Sequence, residues 1–198
     1  MKLTIGIVGA TGAVGQKMIE ILIERKIPVK ELRLFASEKS AGKIVQFKDR
    51  QIEVELLTKE AMEEKYDYLL FAAGGKISEE FGPIAAKAGN MVIDNSSHFR
   101  MVENIPLVVP EINGHILKGY RGIIANPNCS TTQMLMAIGP IYKKYGIKRI
   151  VVSTYQAVSG SGYKAIEELN MQMKDENYPN KVYIRKICGN CIPHIDVF

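Results

Sequence analysis

Three glycines, each separated from the next by two residues, constrain this chain more than any other feature. They follow a short apolar run, Leu3 to Val8, and precede a stretch carrying Met18, Ile19, Ile21, Leu22 and Ile23 that ends near Arg25. The run suits a parallel strand buried on both faces, and the stretch has the apolar spacing of an amphipathic helix. Between them lies Gly9-Ala10-Thr11-Gly12-Ala13-Val14-Gly15. Strand, glycine-rich turn and helix in that order open a dinucleotide-binding unit. The spacing is Gly-x-x-Gly-x-x-Gly rather than the commoner Gly-x-Gly-x-x-Gly, yet the physical reason is the same. A backbone without Cβ atoms can approach a pyrophosphate, and a helix N-terminus faces its charge. A plain tight turn is the competing reading, and the position directly after a first strand favours the nucleotide. Gly9, Thr11, Gly12, Ala13, Val14 and Gly15 are the first candidate cofactor residues.

The second strand, expected over Glu31 to Ala36, bears on which dinucleotide binds. An NAD site usually places an acidic residue at that strand's end for the ribose 2′-hydroxyl. Here Phe35-Ala36-Ser37 is followed by Lys39, Ser40 and Lys43. Hydroxyl and ammonium groups suit a 2′-phosphate, so the reading is NADP, with Ser37, Lys39 and Ser40 as candidates. Glu38 is the dissenting residue.

Gly42 to Leu57 alternates and reads as a hairpin; Lys59 to Glu64 reads as a short helix. Asp67 to Ala73 is a buried strand, and Gly74-Gly75 again brings backbone near a cofactor. Ser78 is expected to cap a helix running to about Ala88, with Glu79 and Glu80 in its first turn. Met91 to Asp94 is the next strand. It runs into Asn95-Ser96-Ser97-His98-Phe99-Arg100, a polar loop at the strand edge where open α/β sheets bind ligands. Arg100 is the candidate anion clamp, because a guanidinium fork matches phosphate or carboxylate. Asn95 is a further cofactor candidate. After Leu107 to Asn113 and a short helix comes a strand, Gly122 to Ala125.

Asn126-Pro127-Asn128 then turns the chain into a helix that begins at Cys129. A cysteine there meets unsatisfied N–H groups and the positive end of the helix dipole, which favour a thiolate over a thiol. It is a place for a nucleophile whose adduct is cradled by N–H groups. A buried structural cysteine is the alternative. Lys148 to Gln156 reads as a β-rich run, with Gln156 able to hydrogen-bond a carbonyl at its end. A polar turn with Ser159 and Gly160 precedes a helix from about Tyr163 to Asp175. Cys188-Gly189-Asn190-Cys191 and His194 lack the further ligands of a zinc site, and no metal is assigned.

Strands and helices alternate as in a Rossmann-like, doubly wound parallel sheet, followed by the start of a second α+β domain. The division expected is 1–127 for nucleotide binding and 128–198 for an incomplete catalytic and dimerisation domain. The net charge of +5 suits anionic ligands, but no compact Lys/Arg block points to nucleic acid. No apolar run approaches membrane-spanning length. Met1 leads straight into a strand, so no signal peptide is expected, and three cysteines make no disulfide framework. The expected location is the cytoplasm, with reduced thiols.

Taken together, the glycine turn, Phe35-Ala36-Ser37 with Ser40-Ala41-Gly42-Lys43, Asp94 to Arg100, Asn126 to Thr131 and Gln156-Ala157-Val158-Ser159-Gly160 resemble the aspartate-semialdehyde dehydrogenase family. Each motif is weak alone, and five in register are specific. Ile192 to Asp196 also resembles a family stretch. The resemblance implies NADPH-dependent reductive dephosphorylation of L-aspartyl-4-phosphate to aspartate 4-semialdehyde, in lysine, threonine, methionine and diaminopimelate biosynthesis. It implies Cys129 as the nucleophile that becomes a thioacyl enzyme as phosphate leaves. Arg100 would hold the phosphate, Gln156 and Asn128 the acyl group, and Ser159 and Gly160 part of the cofactor. Family members are homo-oligomers and continue well past this length. The part beyond holds the residues for the substrate amine and carboxylate and the acid–base histidine. The chain therefore reads as the first part of the enzyme, with turnover on its own not expected. The competing readings are a truncated NADP-binding fragment and an N-acetyl-glutamyl-phosphate reductase-like enzyme. In the latter, glycine would precede Cys129 and tyrosine would follow it.

Overall fold

The computed structural model describes residues 2–193. Two compact units divide the chain between Val152 and Ser153. The first is built on a sheet of strands β1 (Leu3–Val8), β2 (Val29–Ala36), β3 (Ile44–Phe47), β4 (Arg50–Leu56), β5 (Tyr68–Phe71), β6 (Met91–Asp94) and β7 (Ile123–Ala125). Their spatial order is β3-β4-β2-β1-β5-β6-β7. Every pairing is parallel except the hairpin β3–β4. The chain leaves β1 through α1 (Ala13–Glu24) toward β2, and later returns on the other side of β1 to β5. β1 is thus the topological switch point, and the crevice at its carboxyl end receives the Gly9–Gly15 turn.

Both faces of the sheet are covered, as the apolar strands require. On one face Ile5, Ile7, Leu32 and Leu34 pack with Ile19 and Leu22 of α1. On the other, Val8, Phe35, Leu69, Phe71 and Val92 pack with Met62 of α2 (Lys59–Glu63) and Phe81 and Ala85 of α3 (Gly75–Lys87). Gly6 interrupts the apolar run for a steric reason. A Cβ there would lie 2.5 Å from Leu69 Cδ2 and 3.2 Å from the Phe35 ring.

After β6 the chain forms a loop, a single turn α4 (Pro110–Asn113) and a 3₁₀ turn before β7. The helix α5 (Cys129–Tyr145) follows. It rests on α4, where Gly139 admits Ile112: a Cβ at Gly139 would lie 2.4 Å from Ile112 Cδ1.

Two expectations from the sequence need correction. Ser78 does not cap α3, because the helix starts three residues earlier with Gly74 (φ 89°) as its N-cap and no acidic residue in its first turn. Ser78 is instead fully buried inside the helix, with its hydroxyl donated to Asp94. The β-rich run 148–156 forms no ladder among the described residues, and Val151 and Tyr155 are exposed. β-Branched composition alone does not make a strand, because a strand's N–H and C=O groups need a neighbour to pair with.

The second unit holds a 3₁₀ turn (Val158–Ser161) and α6 (Tyr163–Lys174). Beyond α6 the described chain has no regular element and is held by two buried side chains. The Glu168 carboxylate accepts the N–H groups of Lys181, Val182 and Tyr183. Gln172 accepts those of Ile187 and Cys188. Of the segment 192–198, residues 194–198, including His194 and Asp196, lie outside the described residues.

Candidate functional site

The glycine turn is shaped by three different demands. Gly9 has φ 84°, and a Cβ there would fall 2.8 Å from the Ala72 carbonyl carbon and oxygen at the end of β5. Gly15 is buried, and its Cβ would sit 2.3 Å from the Gly9 oxygen and 2.8 Å from Ala10 Cα. That close approach seats α1 on the end of β1. Gly12 is the N-cap of α1 and half-exposed, with extended backbone (φ −75°, ψ 165°). Gln16 donates to the Ala10 carbonyl and pins the turn from within the helix. The first turn of α1 carries no acidic residue, so nothing there opposes an anion at the dipole's positive end.

A cleft of about 400 Å³ opens on this turn. Gly9, Thr11, Gly12 and Ser37 form its polar edge, and Ala36, Leu57, Ala72, Ala73, Ile77 and Phe81 its apolar wall. An apolar slot beside a glycine turn fits a flat base next to a pyrophosphate. A wider, open depression lies elsewhere along β2 and β4, lined by Glu31, Glu53 and Glu55 beside Arg50, and is less suited to an anion. Of the other expected cofactor residues, Ala13 and Val14 are exposed on α1's first turn, and Lys39 and Ser40 lie in the turn after β2. Gly74 follows β5.

The second half of the site lies at the ends of β6 and β7. These strands pair in register with Asp94 opposite Ala125, so the loops that follow them emerge side by side. The Arg100 Nε donates to the Asn126 carbonyl at 3.0 Å and Nη2 to the Asn95 carbonyl at 3.3 Å. Asn126 Nδ2 donates to Asn95 Oδ1 at 2.6 Å, and the Asn126 N–H to the Asp94 carbonyl at 2.8 Å. Among the described residues no carboxylate pairs with Arg100. Its charge therefore remains available to an anion.

Cys129 is exposed and is the first residue of α5. Asn128 is the N-cap, and its side chain accepts the Ser130 N–H at 2.9 Å. Pro127 is buried beneath the turn. Cys129 therefore follows a turn fixed by Asn126, Pro127 and Asn128, at the amide end of a 17-residue helix. Gln156, Ser159 and Gly160 belong to the second unit, where all three are exposed.

Residues 4–120 match the family described as semialdehyde dehydrogenase, NAD binding domain, and residues 138–198 its dimerisation domain. The chain belongs to the semialdehyde dehydrogenase family. It is 52% identical over 201 residues to the aspartate-semialdehyde dehydrogenase of Aquifex aeolicus, across 98% of this chain and 59% of that protein. The solved structure of Vibrio cholerae aspartate semialdehyde dehydrogenase II complexed with ASA is 47% identical, with a TM-score of 0.95. That match covers 100% of this chain and 60% of the Vibrio chain. A Candida albicans aspartate semialdehyde dehydrogenase solved with NADP is 25% identical, with a TM-score of 0.62, over 73% of this chain and 48% of that one. This chain thus spans about 60% of the length of the curated relatives it matches.

Some residues that shape this candidate site had no separate signal in the sequence. Leu57, Ile77 and Phe81 carried no functional signal, yet they wall the cleft. Asn126 read as a turn residue, yet it joins the two loops. Asp94 carried a faint signal, an acid closing an apolar strand, and it is fully buried.

Proposed function

We propose that this chain is the nucleotide-binding part, with the start of the catalytic part, of an NADP-dependent aspartate-semialdehyde dehydrogenase. It would carry out the reductive dephosphorylation of L-aspartyl-4-phosphate to aspartate 4-semialdehyde. The observation that carries this reading is the junction of β6 and β7. There a guanidinium unpaired with any described carboxylate and an exposed thiol follow adjacent parallel strands and are tied through Asn126. A thiol beside an anion clamp suits attack on an acyl phosphate.

The Cys129 sulfur attacks the acyl carbon, the C–O bond to phosphate breaks, and a thioester remains on Cys129. Arg100 holds the departing phosphate, whose charge it matches bidentately. Asn128 caps α5 and fixes the turn that presents the sulfur. Gln156 is assigned to the acyl carbonyl from the family resemblance. A bound nicotinamide would supply the hydride that reduces the thioester.

The residues fit a dinucleotide. Gly9 and Gly15 leave no room for a Cβ, Gly12 begins α1 at the cleft's edge, and Thr11 and Ser37 line it. Lys39, Ser40 and Lys43 near the end of β2 support NADP over NAD, as does the NADP in the Candida relative. The domain boundary is placed after Pro127, with residues 128–198 contributing to catalysis and dimerisation, in keeping with the dimerisation match. A homo-oligomer in the cytoplasm, without nucleic acid or membrane as partner, completes the reading. Among the described residues no helix is long and apolar enough to cross a membrane.

The test is covalent capture. Incubation with L-aspartyl-4-phosphate is expected to leave a hydroxylamine-labile adduct on Cys129 alone, absent from Cys129→Ala. NADPH should bind more tightly than NADH, and Lys39→Ala with Ser40→Ala should narrow the gap. A folded, NADPH-binding protein that forms no adduct would overturn the acyl-transfer reading and leave a nucleotide-binding module.

A further inference from the structure

The loop that carries Arg100 is built on a buried carboxylate that the reaction does not use. Asp94 is fully buried. Among the described residues no cation pairs with it. Its charge is met by three hydrogen bonds instead. Oδ1 accepts the Ser78 hydroxyl at 2.5 Å and the Ser96 N–H at 3.2 Å, while Oδ2 accepts the Ser96 hydroxyl at 2.7 Å. Burying a carboxylate without a cation is costly, so the arrangement persists only because each bond is held in place.

Those bonds lead toward Arg100. Ser96 Oγ, fixed by Asp94, accepts the His98 N–H at 3.2 Å. The Arg100 N–H donates to the Ser97 carbonyl at 3.3 Å. The Asp94 backbone carbonyl accepts the Asn126 N–H, and the Asn126 carbonyl accepts Arg100 Nε. The Asp94 carboxylate therefore fixes the turn before Arg100, while its backbone carbonyl holds Asn126, whose own carbonyl receives the guanidinium. Ser78 anchors this assembly to α3, the helix that also supplies Ile77 and Phe81 to the cleft.

We propose that Asp94, with Ser78 and Ser96, is the positioning element that orients Arg100 toward an anion beside Cys129. The inference rests on the reading of Arg100 as anion clamp given above. Asp94 touches no reacting atom and acts through Arg100.

The test compares alkylation of Cys129 by anionic iodoacetate and neutral iodoacetamide, read at the Cys129 peptide by mass spectrometry. Dividing one rate by the other removes effects of thiol ionisation and general accessibility, leaving the local cation. Wild type should exceed Arg100→Leu in this ratio by roughly fivefold to tenfold, the effect of one nearby unit charge in a partly hydrated site. Asp94→Asn should fall most of the way to the Arg100→Leu value while still binding NADPH. Ser78→Ala, which leaves Ser96 in place, should fall between, and it carries the test if Asp94→Asn does not fold. A purely structural role for Asp94 would lower stability without moving the ratio. Folded Asp94→Asn and Ser78→Ala proteins with the wild-type ratio would overturn the positioning role alone. A wild-type ratio no higher than that of Arg100→Leu would overturn the clamp and the positioning role together.

Discussion

Gly15 and Gly12 differ in what a single methyl group would do, and the difference separates folding from binding. Alanine at Gly15 puts a Cβ 2.3 Å from the Gly9 oxygen and 2.8 Å from Ala10 Cα, both backbone atoms. Relief requires α1 to move off the end of β1 by about 1 Å. Overpacking of this kind costs about 1–3 kcal/mol, and a contact with backbone belongs near the top of that range. Alanine is also the better helix former at this position, which returns about 1 kcal/mol. The net loss expected is about 2 kcal/mol, or a Tm lower by roughly 4–8 °C for a unit of this size. Alanine at Gly12 meets the Gly9 oxygen at 3.4 Å, and its backbone is extended. Stability should fall by no more than about 1 kcal/mol, because alanine is a poorer N-cap than glycine. Dinucleotide affinity should also fall, because the methyl group occupies the approach to the pyrophosphate. Thermal and urea unfolding of both variants, with NADPH titrated by fluorescence, measures the two effects. A Gly15→Ala protein as stable as wild type would refute the close-packing argument. A Gly12→Ala protein with undiminished affinity would remove the pyrophosphate from the turn.

Asn128→Ala removes the bond to the Ser130 N–H and should cost about 1 kcal/mol of stability, measured by urea unfolding. The Tyr66 phenol, which donates to the Ala61 carbonyl and accepts from Arg33, is pushed up to about 12 by burial, with Arg33 opposing. An unfolded tyrosine titrates near its ordinary value of about 10. The neutral phenol's stabilisation is therefore complete below about pH 10 and lost as pH rises from there through about 12. Tyr66→Phe should flatten the stability profile across that alkaline window and leave the neutral region lower by about 1 kcal/mol, in chemical unfolding at several pH values. Glu168→Ala strips the second unit of the acceptor for three amides. Hydrogen exchange should show Lys181, Val182 and Tyr183 losing protection by about 3 kcal/mol, while amides of β1 stay unchanged.

Which parts were legible in the sequence follows from how local their causes are. The glycine turn, β6 and the start of α5 at Cys129 were readable because each is fixed within a few residues by Cβ-free backbone, apolar runs or capping chemistry. The helix containing Ser78 was readable, but its start was not. A serine followed by two glutamates has the composition of an N-cap, yet Gly74 can adopt φ 89° and lets the helix begin earlier. Burial of Ser78 then depends on Asp94, sixteen residues away, which no local pattern reports. The run 148–156 failed for a similar reason. Its side chains suit a sheet, but the pairing that makes a strand is a property of neighbours rather than of the segment. Asn126 looked like turn chemistry, and only the β6–β7 register brings it against Asn95 and Arg100.

The strand order also explains why a thiol and a nucleotide can share this scaffold without competing. The glycine turn follows β1, and Cys129 follows β7, with β5 and β6 between them. At nearly 5 Å per strand, three spacings separate the turn from the cysteine by about 14 Å across the sheet edge. A dinucleotide whose pyrophosphate sits at β1 can place its base over the Ala36–Leu57 side of the cleft, toward the end of β2. Its other half then runs across the ends of β5 and β6. Those ends supply Gly74, after β5, and Asn95, after β6, the latter held by Asn126. Under the proposed function the reactive ring would therefore approach the β6–β7 junction, where Arg100 is bonded to Asn126, a few residues before Cys129. Loop chemistry differs at each strand end, but the parallel register of β1, β5, β6 and β7 aligns those ends along one edge. Under the proposed function, that alignment would let four separate motifs act as one site.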